Sequence, residues 1–315
     1  MIKKIMRVGI VGFGNIGKKR YLALLKIKIF RVKIIFIVDK EKPSINLKRI
    51  KFYSDWSKIK KENVDLIVIS TPTKNSTFIS DQLSGKFNLL VEKPLSTEIK
   101  KIKKIISKSN KSKKLIKVGY NLRFDDGLLK AKENYLASKI GKTYYIKITY
   151  ANGAAGTNSN KIGSLLDMGT HSINILEWLL GNSKLKLISS TSQKNEFLNK
   201  LKIDNGFVVL KSKNIIISMH HGFCTWKNKF ELEIGGSKGF IRVNSLSKWG
   251  DQEVIVGTRK YPDGVPKIKQ WNYKTDNSWK NELEYVFGII CANRKKINIT
   301  NREAYDTLKV VQNFT

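Results

Sequence analysis

The 315-residue chain predicts an α/β protein in two parts. Residues 1–120 read as a dinucleotide-binding, Rossmann-type doubly wound parallel sheet. Residues 121–315 read as a second α/β domain with a large open, mostly antiparallel sheet. Three observations predict this. The stretch Arg7-Val-Gly-Ile-Val-Gly-Phe-Gly-Asn-Ile-Gly17 runs from a short apolar strand into a turn with glycines at Gly12, Gly14 and Gly17. Up to about residue 120, short runs apolar on both sides alternate with helix-period segments, as parallel strands covered on both faces do. Beyond that point most strands alternate polar and apolar positions, as an antiparallel sheet with one open face does.

Taken in order, strand 8–11 is followed by a helix over 16–25, with apolar Ile16, Leu22, Leu24 and Leu25. Strand 32–38 closes at Asp39. A loop with Pro43 and Asn46 leads to Tyr53-Ser-Asp-Trp-Ser57, which reads as a helix start. Strand 64–69 closes at Ser70-Thr-Pro-Thr73, and a helix over 76–84 stops at Gly85. Strand 87–91 closes at Glu92-Lys-Pro94. The lysine-rich tract 100–117, with Ile99, Ile102, Ile105 and Ile106 at helical spacing, reads as an amphipathic helix with a solvated basic face. Strand 115–118 ends the first part. The second opens with helix 126–138 and strand 143–150. A loop rich in Gly and Asn (151–164) leads to helix 165–180, stopped by Gly181. Strands 184–192, 206–211, 215–220, 230–234, 239–243, 253–256 and 268–273 follow, and helices 278–292 and 302–312 close the chain.

Sixty Lys and Arg against 25 Asp and Glu give a formal charge of +35. Such an excess suits a nucleic-acid or anionic-surface binder. It also suits compositional drift, because the surplus is mostly lysine, spread over the whole chain and accompanied by much Ile and Asn, all with A/T-rich codons. No helix-turn-helix or aromatic-studded RNA platform accompanies the charge, so no specific nucleic-acid partner is expected. No apolar run reaches bilayer length, so no membrane partner is expected. The first residues lack a signal peptide's apolar segment and cleavage site, and a cytoplasmic location is expected. Cys224 and Cys291 stand far apart and in no C-x-x-C, which disfavours a disulfide framework or a zinc site.

The glycine spacing carries the first piece of chemistry. Gly12 permits the tight turn, Gly14 leaves room for a pyrophosphate against the backbone, and Gly17 lets the helix pack close to the strand. The helix start at Asn15 and Ile16, after Phe13, would point its free N–H groups at phosphates. Asp39, roughly twenty residues beyond Gly17, stands where an acid accepts from the adenosine ribose hydroxyls. A carboxylate there repels a 2′-phosphate, so NAD is the expected cofactor. NADP stays possible because Lys40 is adjacent. Ligands of such sheets bind beyond the carboxyl ends of the strands. That rule adds Ser70, Thr71, Pro72, Glu92 and Lys93 to the cofactor crevice. Lys93 is then either one more surface lysine or a desolvated proton carrier. Asp167 and His171, four apart, share a face if 165–180 is α-helical. They form either a structural pair or an oriented acid–base. No third ligand is evident, so no metal is expected.

Gly12-Phe-Gly-Asn-Ile-Gly17, Ser70-Thr-Pro-Thr73, Glu92-Lys-Pro-Leu95 and Asp167-x-x-x-His171 together resemble the glucose–fructose oxidoreductase/inositol dehydrogenase/rhizopine catabolism (Gfo/Idh/MocA) family across essentially the whole chain. The resemblance implies an NAD(P)-dependent oxidoreductase that moves a hydride between nicotinamide and a carbinol or ketone carbon of a sugar, nucleotide-sugar or cyclitol. It implies that Lys93 and His171 serve the substrate, one or both in proton transfer, and that Asp167 orients the histidine. It places Tyr120, Asn121 and Arg123 in the substrate-contacting stretch, and it implies a homodimer or homotetramer. The sequence departs from the family at Thr73, at Ser76, at Arg20 where a histidine is frequent, and at Asn174. The last weakens a specific inositol dehydrogenase reading, since one substrate-facing carboxylate is missing. Some relatives of this fold are non-catalytic sensors of sugar or dinucleotide. Intact Lys93, Asp167 and His171 favour the enzyme.

Overall fold

The computed structural model describes residues 4–153, 163–181, 183–194, 203–259, 264–292 and 295–312. They form two compact units. One comprises the described residues of 1–121 together with those of 279–308, the other the described residues of 122–278 together with those from 309 on.

In the first unit, β1 (Ile5–Val11), β2 (Arg31–Val38), β3 (Lys51–Tyr53), β4 (Leu66–Ile69), β5 (Leu89–Glu92) and β6 (Ile116–Gly119) make one parallel sheet in the order β3-β2-β1-β4-β5-β6. The order reverses between β1 and β4, and that switch point is where such sheets take ligands. Helices α1 (Asn15–Leu25), α2 (Thr73–Leu83) and α3 (Ile99–Lys111) are the crossovers. All four residues of β4 and of β6 are inside, whereas β3 at the edge is half-exposed.

Three details differ from the sequence reading. Residues 51–53 form an edge strand, and the expected helix start at 53–57 becomes the 3-10 turn Trp56–Lys61, capped by Asp55. Helix α1 buries Gly17, Arg20, Ala23 and Leu24, whereas Leu22 and Leu25 are exposed. Its inward stripe therefore runs through an arginine that the apolar pattern passed over. Finally, α6 (Ser278–Cys291) packs Leu283, Val286 and Phe287 into the core of this unit, beside Val8, Ile10, Leu24 and Ile37. Each such side chain contributes about 1.5–3 kcal/mol when fully buried.

The second unit holds β7 (Thr143–Ala151), β8 (Lys186–Gln193), β9 (Asn205–Ser212), β10 (Ile215–Gly222), β11 (Lys229–Gly236), β12 (Gly239–Asn244), β13 (Gln252–Thr258) and β14 (Lys267–Tyr273). They pair in the order β14-β13-β12-β11-β7-β10-β9-β8. The ladders are antiparallel except β7 with β10, which run parallel. Period-2 alternation sorts the faces. Ile146, Ile148, Tyr150, Leu210, Ile217, Leu232 and Ile234 pack with Leu128 and Ala131 of α4 (Asp126–Leu136) and with Ile173 and Leu176 of α5 (Thr170–Leu179). The alternate face carries exposed Lys147, Phe207 and Glu231. The last helix, α7, spans Lys295–Gln312, starting earlier than the sequence suggested. Most of the Gly/Asn-rich loop read at 151–164 lies outside the described residues.

Candidate active site

The end of β1 is held on both sides. Gly12 N–H donates to the carbonyl of Val38 at 2.8 Å, and Ser70 N–H donates to that of Val11 at 2.7 Å. Gly12 has φ +87°, and a side chain there would also meet the Ser70 carbonyl at 2.8 Å. A Cβ on Gly17 would stand 2.1 Å from the Gly12 carbonyl oxygen, so this turn and helix can approach only through glycine. At Gly14 a Cβ would meet no atom within 4 Å. Gly14 is also the N-cap of α1, without a side-chain cap and with no acid in the first helical turn. A helix start whose N–H groups meet neither a capping side chain nor a carboxylate, behind a residue with open space above it, fits a pyrophosphate. Gly14→Ala is expected to leave stability within about 0.5 kcal/mol. Its methyl would fill that space, so dinucleotide binding should weaken about 10- to 100-fold. Thermal melting and NADH fluorescence titration check the two halves.

Asp39 follows β2 and is half-buried. Its Oδ2 accepts from Phe13 N–H and its Oδ1 from Lys40 N–H at 2.7 Å. The carboxylate therefore fixes the glycine turn as well as facing outward. A carboxylate offers about four acceptor positions, which leaves capacity for a ribose hydroxyl. Thr71, Pro72 and Ser76 form the matching corner beyond β4. Ser76 Oγ donates to the Thr71 carbonyl at 2.7 Å, and Pro72 caps α2.

Beyond β5, the Glu92-Lys-Pro94 stretch contains a cis Lys93–Pro94 bond. Its anchor is Arg20, which is wholly buried. Nε donates to Glu92 Oε1 and Nη1 to Glu282 Oε2, both at 2.6 Å, and the guanidinium lies 4.5 Å from the Trp279 ring centre. Burial alone would lower the Arg20 pKa, but Glu92 and Glu282 outweigh it and raise it. Burial pushes the Glu92 carboxyl up, and Glu282 adds to that, against the pull of Arg20. Gly119 at the end of β6 leaves room for this cluster, since a Cβ there would stand 2.6 Å from Arg20 Nη2. Thr77 Oγ1 ties the following segment down through the Leu95 carbonyl at 2.6 Å. Lys93, half-buried, thus leaves a backbone fixed on both sides. Tyr120 and Asn121 are buried at the end of the same unit.

In the second unit, Arg123 is buried, with its guanidinium 5.0 Å from the Phe124 ring centre. Asp125 caps α4 and binds Ser247 Oγ at 2.5 Å and Gln252 Nε2 at 2.6 Å. Asp167 lies in a π-helical turn, Leu165–Gly169, and His171 in the first turn of α5. The sequence pattern predicts α-helix over this whole stretch. The wider turn alters the angle between Asp167 and His171, and single π turns often mark functional sites. The turn is held from behind. Ser164 N–H donates to the Ile203 carbonyl at 2.9 Å, and Ser164 Oγ lies 2.9 Å from His221 Nδ1. Burial, then His220, lowers the His221 pKa to about 4, so this ring is a neutral strut at pH 7. His171 is buried, and its ring stands edge-on to Tyr150 with centroids 5.8 Å apart. Lys248 Nζ donates to Tyr150 Oη at 2.8 Å. Sequence reasoning singled out neither Tyr150 nor Lys248, and gave Arg20 only as a departure. Their partners are too distant in sequence to leave a local signal. Among the described residues, no group of three or more His, Cys, Asp or Glu could hold a metal ion, and no helix is long and apolar enough to cross a membrane.

An open helix start at the switch point of a parallel sheet, joined to a unit built on a wide mixed sheet, defines a dinucleotide-binding class of fold. The comparisons with known proteins refine this. Residues 6–120 match the model of an oxidoreductase family with an NAD-binding Rossmann fold, and residues 132–315 match the C-terminal alpha/beta domain of that family. The chain belongs to the Gfo/Idh/MocA oxidoreductase family. It is 21% identical over 295 residues to an inositol 2-dehydrogenase/D-chiro-inositol 3-dehydrogenase of Halalkalibacterium halodurans, covering 90% of this chain and 83% of that one. It is 25% identical over 262 residues to a myo-inositol 2-dehydrogenase of Thermotoga maritima, covering 76% of each. A 3-ketoreductase of Actinomadura kijaniata, solved with NADP and TDP-benzene, superposes with a TM-score of 0.80 at 14% identity over 99% of this chain and 98% of that one. A gentamicin A biosynthesis protein solved with NAD does so at 0.78 and 17% identity, over 98% and 93%. At these identities the structural likenesses speak for the fold alone.

Proposed function

We propose that the chain oxidises or reduces a carbinol carbon of a sugar, nucleotide-sugar or cyclitol, with Lys93 and His171 carrying the proton and Asp167 orienting the imidazole. The observation that carries this reading is the match of both family domains together with three intact residues, Lys93 beyond β5 and Asp167 and His171 on the turn entering α5. Gly12, Phe13, Gly14, Asn15, Ile16 and Gly17 would hold the pyrophosphate. Asp39 would take the ribose, and Ser70, Thr71, Pro72, Glu92 and Lys93 would line the nicotinamide end. When bound, nicotinamide supplies the hydride acceptor or donor. The protein's share is orientation and movement of the hydroxyl proton to or from His171 Nε2 or Lys93 Nζ. Tyr120, Asn121 and Arg123 would contact substrate, and an arginine there suits a phosphate or carboxylate on the sugar. The substrate class is tested by competing myo-inositol against a nucleotide-sugar. Preference for the cyclitol despite Asn174 would remove the phosphate-bearing alternative.

NAD should be preferred over NADP. Asp39→Ala removes a charged acceptor of about 1.5–3 kcal/mol, so NADH affinity should fall about tenfold or more and the preference should narrow. Fluorescence titration with both reduced nucleotides reads it. We further propose that residues 1–120 serve the cofactor and 121–315 the substrate. The chain is proposed to be a cytoplasmic homodimer or homotetramer with no nucleic-acid partner. Light scattering decides its mass, and salt-dependent DNA retention decides the last point.

A further inference from the structure

We propose that Lys248 is a positioning residue for His171, acting through Tyr150 and through its charge to keep the imidazole in its proton-accepting form. This deepens, and rests on, the reading of His171 as a proton carrier. The geometry lies wholly within the second unit. Lys248 sits in the 3-10 turn Ser247–Trp249. That turn is pinned by Asp125, whose Oδ2 accepts from Ser247 N–H at 3.2 Å and from Ser247 Oγ at 2.5 Å. From there the side chain reaches Tyr150 across 98 residues of sequence and donates to its hydroxyl at 2.8 Å. The amine also stands 4.7 Å from the Trp249 ring centre and 5.2 Å from that of Tyr150, within cation–π range of both. Tyr150 is buried near the end of β7, packed edge-on against Phe230 at 6.0 Å and against His171 at 5.8 Å. One phenol therefore meets the imidazole with its ring and the ammonium with its hydroxyl.

Two physical consequences follow. The hydrogen bond fixes the ring against which His171 packs. The ammonium opposes a second positive charge on the imidazole that packs against the same ring. Part of Lys248 is exposed to solvent, but its amine is crowded by the two rings. The resulting loss of water lowers its pKa from 10.5 to about 8, against the pull of Asp276, Asp167 and Asp125. It remains mostly charged at pH 7. A packing role alone would not require a cation among these rings, since an apolar side chain fills such a space without desolvating a charge.

The test uses the full chain with ring-labelled histidine, followed by NMR across a pH series. The chain has three histidines, and His171→Gln assigns the third signal. Lys248→Met should raise the His171 titration midpoint by about half to one pH unit, the scale of a charge one aromatic ring away. Lys248→Arg should restore the original midpoint. The unaltered chain should show a second, smaller displacement of the His171 signal near pH 8, absent from both variants. An unmoved midpoint in Lys248→Met, with His220 and His221 undisturbed, overturns the proposal, as does an equal shift in Lys248→Arg. Should Lys248→Met disturb His220 and His221, Tyr150→Phe decides. It deletes only the hydroxyl, and an unchanged His171 titration there also overturns the proposal. No substrate is needed. Absence of turnover in the unaltered chain would instead count against the proposed reaction.

Discussion

Lys93→Ala is expected to lower turnover about 10²–10⁴-fold with dinucleotide binding retained, and His171→Ala should do the same. The range is that of a positioned general acid–base. An alcohol gives up its proton reluctantly in neutral water, and a fixed base removes that cost in the transition state. Neither side chain belongs to the glycine turn, whose amides and Asp39 would hold the nucleotide, so affinity and turnover should separate. Single-turnover kinetics beside NADH titration read the two quantities. Asp167→Asn should cost less than His171→Ala, because the imidazole stays while its orientation weakens. If both alanine variants keep full turnover, the proton-transfer assignment is wrong.

The second large effect is structural. Arg20→Met should destabilise the first unit by about 3–5 kcal/mol, because it leaves Glu92 and Glu282 buried without their shared cation. The side chains of Arg20 and Glu282 have no solvent exposure and that of Glu92 has 16%. Arg20→Lys should recover only part of the loss, since one ammonium cannot bridge two carboxylates as a planar fork does. The pH dependence has a definite sign. Glu92 already has a raised pKa in the folded chain. Its protonated form is therefore favoured by folding, and that contribution is lost as pH rises through the folded pKa. Without Arg20 the effect grows, so the deficit should be largest at neutral and alkaline pH and should shrink on acidification. Denaturant unfolding at several pH values measures it. Turnover of Arg20→Met should also fall, because Glu92 precedes Lys93.

Much of the first sheet was legible because parallel strands buried on both faces leave continuous apolar runs, as in β1, β2, β4 and β5. The three residues of β3 were not. Such a short, half-exposed edge strand in a lysine-rich loop carries almost no periodicity. The alternation in β7 and β10 gave their faces but not their mutual direction, since a period of two is the same for parallel and antiparallel pairing. Helix α6 announced an apolar stripe, but nothing local says which core receives it. The π turn at Leu165–Gly169 escaped because short-range composition does not distinguish it from α-helix. Arg20 was hidden for another reason. A single arginine in a helix normally reads as solvated, and its partners lie 72 and 262 residues away. The glycine turn, Asp39, the Glu92-Lys-Pro94 stretch and the Asp167/His171 pair were legible as residues. The supports beneath them, Arg20, Ser164 with His221, and Tyr150 with Lys248, became visible only in three dimensions.

The most direct measurement is nicotinamide absorbance with purified chain, NAD or NADP, and a panel of cyclitols, sugars and nucleotide-sugars. It is run in parallel on a chain carrying both Lys93→Ala and His171→Ala. An absorbance change with at least one compound is expected for the unaltered chain, and its loss in the double variant. Tight dinucleotide binding with no absorbance change across the panel would contradict it, and would point to a sensor built on an oxidoreductase fold.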